Sequence, residues 1–147
     1  MNLPSRVLIC GSYQWRWPDA ITTTLEHLAT LHPEELVIIE ECGRGAECTA
    51  HDWCTQRKLP AWRHRCYPPA DNKPYRSARQ IGPECNRRLL TDEEPRLVLA
   101  FHEDLKRSRP ALRDLCEQAA DMGIPVWHLA TGDLQRGCWW LRAPLDW

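Results

Sequence analysis

No apolar run in these 147 residues approaches the ~18 that a membrane-crossing helix needs. The opening MNLPSRVLIC also lacks the apolar stretch of a secretory signal. A soluble, cytoplasmic chain without a membrane partner is the expectation. Charge of one sign is missing too: 19 Lys and Arg stand against 20 Asp and Glu, a formal net charge of −1. No global field therefore favours nucleic acid or an anionic surface as partner. The eight cysteines include no Cys-x-x-Cys pair. Cys48-x-x-His51-x-x-Cys54 spans too wide an arc of a helix to converge on one ion, so no metal is expected. Without a secretion signal, the cysteines read as free, mostly buried thiols. Neither a Walker Gly-Lys-Ser/Thr nor a Gly-x-Gly-x-x-Gly occurs, which excludes those two phosphate cradles. No internal repeat is visible.

What is present suffices for one domain. The apolar fraction is 43%, and a chain of this length buries roughly 70% of its unfolded surface, so no staple is needed. Arg6 to Cys10 reads as a buried parallel strand ending at Gly11-Ser12. Pro18 and Asp19 open a helix with Ile21, Leu25, Leu28 and Leu31 on one face. Leu36 to Ile39 is a second strand, and a helix runs from Ala46 to Arg57. Ala61 to Cys66 is a weaker strand, and Tyr67 to Gly82 a long loop. Pro83 to Leu90 is a short helix, and Arg96 to Phe101 the clearest strand. Pro110 starts a helix closed by Gly123, with Leu112, Leu115, Cys116 and Ala119 inward. Ile124 to His128 is the last strand. This alternation predicts an α/β fold, a mostly parallel five-stranded sheet between two helical layers. Residues 131–147 form a tryptophan-rich tail without a clear period.

In such a sheet, ligands bind beyond the carboxyl ends of the strands. Four loops meet that rule: Gly11 to Trp17, Glu41 to Gly45, Tyr67 to Gly82, and His102 to Arg109. They carry Arg16, Arg44, Lys73, Arg76, Arg79, Lys106, Arg107 and Arg109, eight of the 19 basic residues. A chain of near-zero net charge thus gathers positive charge on one edge. Glycines admit backbone N–H groups there, and helix N-termini add their positive ends. The reading is an anionic, phosphate-bearing ligand, with Tyr13, Trp15, Trp17 and Tyr75 placed to stack on a base. In "ECGRGAE" the glycines permit positive φ or close backbone approach, and Cys48 and Cys54 fall on the helix behind.

Four stretches together resemble the SLOG superfamily, the Rossmann-like fold of the LOG and DprA/Smf groups, in its YspA/YpsA-type branch. "RVLICGSYQW" is similar to that branch's Val-Thr-Gly-Ser-Arg-x-Trp opening, and "EECGRGAE" to its His-Gly-x-x-x-Gly-Ala-Asp turn. "QIGPECNRRLL" is similar to Ala-Gly-Pro-x-Arg-Asn-x-x-Met, and the segment from "VLAFH" to "GIPV" to the branch's closing pattern. The resemblance spans residues 6 to about 128. It implies a Rossmann-like three-layer sandwich over 1–130 that binds a nucleotide-derived small molecule, with oligomeric relatives implying a homo-oligomer. Some members are phosphoribohydrolases; others sense nucleotide signals in antiviral systems, which phage members can counter. The enzymatic LOG glycines are missing, Pro110-Ala111 stands for Gly-Thr, and Cys85 replaces an arginine. These departures weigh against hydrolysis more than against binding.

The ligand-contacting set is Gly11, Ser12, Tyr13 and Trp15 from the first loop, and Gly43, Arg44 and Gly45 from the second. Arg79, Gly82, Asn86 and Arg87 join from around the third, and His102, Ser108 and Arg109 from the last. Asn86 and Arg87 read equally as a cap and a solvated cation, and Ser108 as an N-cap. The carboxylates available for acid–base work are Glu41, Glu103, Asp104 and Asp114. Trp139, Trp140 and Trp147 read as cover for an apolar surface or subunit interface, or as a lid. The basic run Arg57 to Arg65 reads as a solvated strand face rather than a nucleic-acid surface. The expected function is binding of an ADP-ribose-type or cyclic nucleotide signal, as sensor or sequestering protein, with no cofactor. The alternatives are an N-glycosidase or phosphoribohydrolase, and a protein-interaction module using the tail.

Overall fold

Val7 and Ile9 face one side of the first strand and Leu8 and Cys10 the other, and all four are buried. A strand apolar on both faces needs cover on both. The computed structural model supplies it, describing residues 3–41, 43–66 and 78–140, the side chains of 78–82 excepted. Strand β1 (Arg6–Gly11) lies in one sheet with β2 (Val37–Glu40), β3 (His64–Cys66), β4 (Leu97–Phe101), β5 (Val126–Leu129) and β6 (Cys138–Trp140). The order is β3-β2-β1-β4-β5-β6. Strands β1 to β5 pair in parallel, and β6 runs antiparallel along β5.

Helices α1 (Pro18–Leu31) and α2 (Ala46–Gln56) belong to the face of Val7, Ile9 and Ile38. Helix α3 (Ala78–Glu93) and α4 (Pro110–Asp121) supply Leu89, Leu90, Leu112 and Leu115 to the face of Leu8, Cys10 and Ile39. Each fully buried aliphatic side chain stabilises the sandwich by roughly 1.5–3 kcal/mol. The three-layer α/β architecture is that expected from the alternation. Among the described residues no helix is long and apolar enough to cross a membrane.

Several details differ from the sequence reading. The sheet has six strands, not five, because the tryptophan-rich segment begins by folding back on β5. Trp140 pairs with Val126 and is buried, and Gly137 lies so close to the Trp127 ring that a Cβ would come within 1.7 Å of it. A three-residue strand is too short to show a period. Helix α3 starts at Ala78, so Gly82 is helical rather than part of a loop, and Pro83 stands inside the helix. Leu31, expected inward, is 46% exposed. Strand β3 is three residues long; before it Arg63 bonds the Leu36 and Pro33 carbonyls, and within it Arg65 pairs with Glu93. Cys66 is disulfide-bonded, against the expectation of free thiols. Cys10, Cys48, Cys54, Cys85, Cys116 and Cys138 are free, and three of these six are buried.

Candidate functional site

The strand order reverses between β1 and β4, so the loops that follow them diverge and open a crevice at their carboxyl ends. Arg109 reaches back across that opening. It is itself the N-cap position of α4 and, having no side-chain acceptor, makes no side-chain cap; Ser108, expected as the N-cap, donates its hydroxyl instead to Leu105 O at 2.7 Å. The Arg109 guanidinium donates from Nη1 to Gly11 O at 2.9 Å. Its Nη2 lies 3.7 Å from Glu47 Oε1, and its Cζ sits 3.9 Å above the Tyr13 ring.

Two backbone turns press together beneath this guanidinium. Ala46 N donates to Ser12 O at 3.1 Å, and Ser12 N to Phe101 O at 2.8 Å. Gly45 holds φ at +63°, and a Cβ there would lie 2.2 Å from Ser12 O. Both positive φ and backbone contact therefore demand glycine. A Cβ on Gly43 would run into the Glu47 side chain, 1.9 Å from its carboxylate. The glycine turn thus creates the space into which Glu47 folds.

Tyr13, Glu41, Glu47, Asn86, Arg109 and Leu112 are among the walls of a cavity of about 50 Å³. That volume holds a few waters or one small substituent of a larger ligand. Burial pushes the Glu47 carboxyl up to about 8, and the Glu41 charge raises it further than Arg109 draws it down. Burial also raises Glu41, against the pull of Arg109. At pH 7 Glu47 is therefore mostly a protonated hydrogen-bond donor, beside a cation and an aromatic face. This set can grip hydroxyls and a neighbouring anion, or exchange a proton. A larger cavity of about 540 Å³ lies against α1, lined by Leu28, Leu99, Trp127, Leu134 and Trp139 among others. Its wall is apolar apart from Thr23, Thr24 and His27, so it offers no comparable chemistry.

The structure brings together only part of the expected set. Gly11, Ser12, Tyr13, Gly43, Gly45, Glu41, Asn86 and Arg109 meet at or around the cavity. Asn86 is buried, and its Nδ2 donates to Ala111 O at 2.7 Å and Asp114 Oδ2 at 3.0 Å, locking α3 to α4. Asp114 also accepts from Gln118 Nε2 at 2.7 Å. Trp15 is packed in the core, edge-on to Phe101, rather than at the cavity. Arg44 and Arg87 are exposed. His102 accepts from Asp104 N, and burial lowers its pKa; Glu103 is half-buried, and Asp104 pairs with Arg107. None of these three lines the cavity. Arg16 stacks over Trp17. Among the described residues of the basic group, Arg109 is the one that lines the cavity. Lys73, Tyr75, Arg76 and Trp147 lie outside the described residues, as does the side chain of Arg79, and of Gly82 the backbone alone is described.

Residues 5–67 match the model of the YAcAr family, the YspA, cpYpsA-related SLOG family. Over that segment, a little under half of its length, the chain is similar to the SLOG superfamily. The match runs from the entry of β1 to the exit of β3 and covers the Gly11 and Gly43–Gly45 turns together with Glu47. The later SLOG-like stretches, around Asn86 and from Val98 to Val126, lie beyond it. No curated protein and no solved structure matches the chain. Similarity to that family points to binding or processing of a nucleotide-related ligand.

Sequence reasoning missed Glu47. The signal was present, since a carboxylate two residues after a positive-φ glycine sits in the first turn of α2 and can fold back over the turn. The Cys48, His51 and Cys54 trio does not converge. Cys48 is exposed against Asp52, Cys54 is buried in the core, and His51 turns to Glu40.

Proposed function

We propose that the crevice between β1 and β4 binds a ribose-bearing, nucleotide-derived anion, and that the protein acts as sensor or sequestering agent for it. The observation that carries this reading is the Glu41–Glu47–Arg109–Tyr13 arrangement at the carboxyl edge. Paired acids suit sugar hydroxyls, the guanidinium suits a phosphate, and the tyrosine ring gives a base or sugar an apolar face. ADP-ribose-type and cyclic nucleotide signals have this chemistry, and capture of such a signal is how a phage-encoded member would blunt a host response. The cavity of about 50 Å³ then takes one substituent of the ligand while the remainder lies along the open edge.

The raised Glu47 carboxyl supports a second reading, hydrolysis of an N-glycosidic bond with Glu47 as the proton donor to the departing base. Native mass spectrometry of the protein mixed with a nucleotide panel separates the two. A retained ligand released unchanged supports the binder. Free base and sugar phosphate support the hydrolase. Neither retention nor turnover across the panel refutes both and directs attention to a protein partner for the tryptophan-rich segment.

A further inference from the structure

Three elements converge on a second polar cluster, on the α2 side of the sheet. Glu40 ends β2 and is fully buried. His64 opens β3 opposite Ile38, while Glu40 stands opposite Cys66, so Glu40 and His64 are diagonal neighbours on one face of the sheet. Helix α2 lies over that face and presents His51, one turn beyond Glu47. His51 Nδ1 is 3.4 Å from Glu40 Oε1, and His64 Nε2 is 3.8 Å from the same oxygen. The two imidazoles meet edge to face at 4.8 Å. One ligand atom from each of the three residues lies within 4.8 Å of the others.

The chemistry of these groups is that of a coordination site. Ligand atoms held about 2.0–2.2 Å from a tetrahedral ion stand roughly 3.3–3.6 Å apart, close to the 3.4 and 3.8 Å from Glu40 to the two histidines. Glu40 offers a carboxylate oxygen and each histidine an imidazole nitrogen, all donors that a zinc-class ion accepts. The buried His64 Nε2 also has no hydrogen-bond partner among the described residues. His51 is 41% exposed and leaves a way in from solvent.

We propose that Glu40, His51 and His64 bind a divalent transition cation of the zinc class, with a fourth position open past His51. Two imidazoles and one carboxylate form a borderline donor set that favours Zn²⁺, Co²⁺ or Fe²⁺ over Mg²⁺ and Ca²⁺, which take oxygen ligands. The ion would clamp β2, β3 and α2 together directly behind the Gly43–Gly45 turn. It would also offset the Glu40 charge that contributes to raising Glu47.

The test is a Co²⁺ titration of the chelator-stripped full chain, followed by visible absorption, with Zn²⁺ competition by calorimetry. The expected result is one Co²⁺ per chain, displaced by Zn²⁺, with nitrogen- and oxygen-type d–d bands and no thiolate-to-cobalt charge transfer. His51→Ala, on the helix surface, should weaken binding about tenfold or more. His51→Cys should retain the ion and gain the thiolate band, a signature that a merely structural histidine would not produce. No stoichiometric binding by the folded wild type overturns the proposal. So does unchanged affinity in His51→Ala, or a thiolate band in the wild type, which would assign the ion to the cysteines.

Discussion

Replacing Glu47 by glutamine should make the protein more stable at pH 8 and leave it nearly unchanged at pH 5. In the fold the Glu47 carboxyl is pushed from 4.5 up to about 8, first by burial and then by the Glu41 charge. In the unfolded chain it returns to its ordinary value. Between those two values the folded state holds a proton that the unfolded state has lost. Stability is therefore full below about 4.5 and falls as pH rises toward 8. Each pH unit in that window costs up to about 1.4 kcal/mol, so the whole window is bounded at roughly 4–5 kcal/mol. Glu47 is coupled to Glu41 and lies 3.7 Å from Arg109, and water entry at the crevice relaxes part of the penalty, so about half that bound, roughly 2 kcal/mol, is expected. Glutamine keeps the shape and a hydrogen-bonding amide without the ionisation. Urea unfolding of both proteins from pH 5 to 8 measures the difference. The Glu47→Gln midpoint should gain about 1 M at pH 8, with a slope of about 2 kcal/mol per M. His64 and His102, whose pKa values burial lowers, act oppositely, adding stability as pH rises through the range just below 6.5. They are common to both proteins and cancel in the comparison. Parallel stability curves across the range would refute the assignment of a raised carboxyl to Glu47.

Gly45→Ala should cost about 2–4 kcal/mol, through a glycine-only backbone conformation and contact with Ser12 O. Gly123→Ala, also at positive φ but with nothing within 4 Å, should cost about 1 kcal/mol in the same thermal melts. Gly43→Ala should change stability little yet weaken ligand binding, because its Cβ displaces the Glu47 carboxylate; calorimetry with whichever nucleotide the panel retains checks this. Arg109→Lys keeps the charge but loses the 3.9 Å stacking on Tyr13 and the planar fork, and should weaken the same titration by about 1–2 kcal/mol. Asn86→Ala should destabilise by roughly 1–3 kcal/mol in denaturant, since the Ala111 carbonyl and the Asp114 carboxylate lose a donor between α3 and α4.

The amino-acid sequence by itself determined the layered plan. Val7 to Cys10, Leu36 to Ile39 and Leu97 to Phe101 are apolar on both faces, and only a sheet covered on both sides buries them. Pro18 and Pro110 set two helix starts, because proline's fixed φ and missing N–H suit a first helical position. The Gly43-Arg44-Gly45 turn was legible for the same local reason, and the likeness to SLOG proteins rode on that turn and on the end of β1. Tertiary structure decided what local pattern cannot encode. It folded Cys138–Trp140 back as a sixth strand, and it carried the start of α3 back to Ala78. It left Arg16, Arg44, Lys106 and Arg107 exposed and drew Arg109 onto Tyr13 and Glu47. It also set Glu40 between two histidines that lie 11 and 24 positions further along the chain. Periodicity reports which face of one element is apolar, whereas the charge state of Glu47 depends on how deeply three other elements bury it and on which cation reaches it.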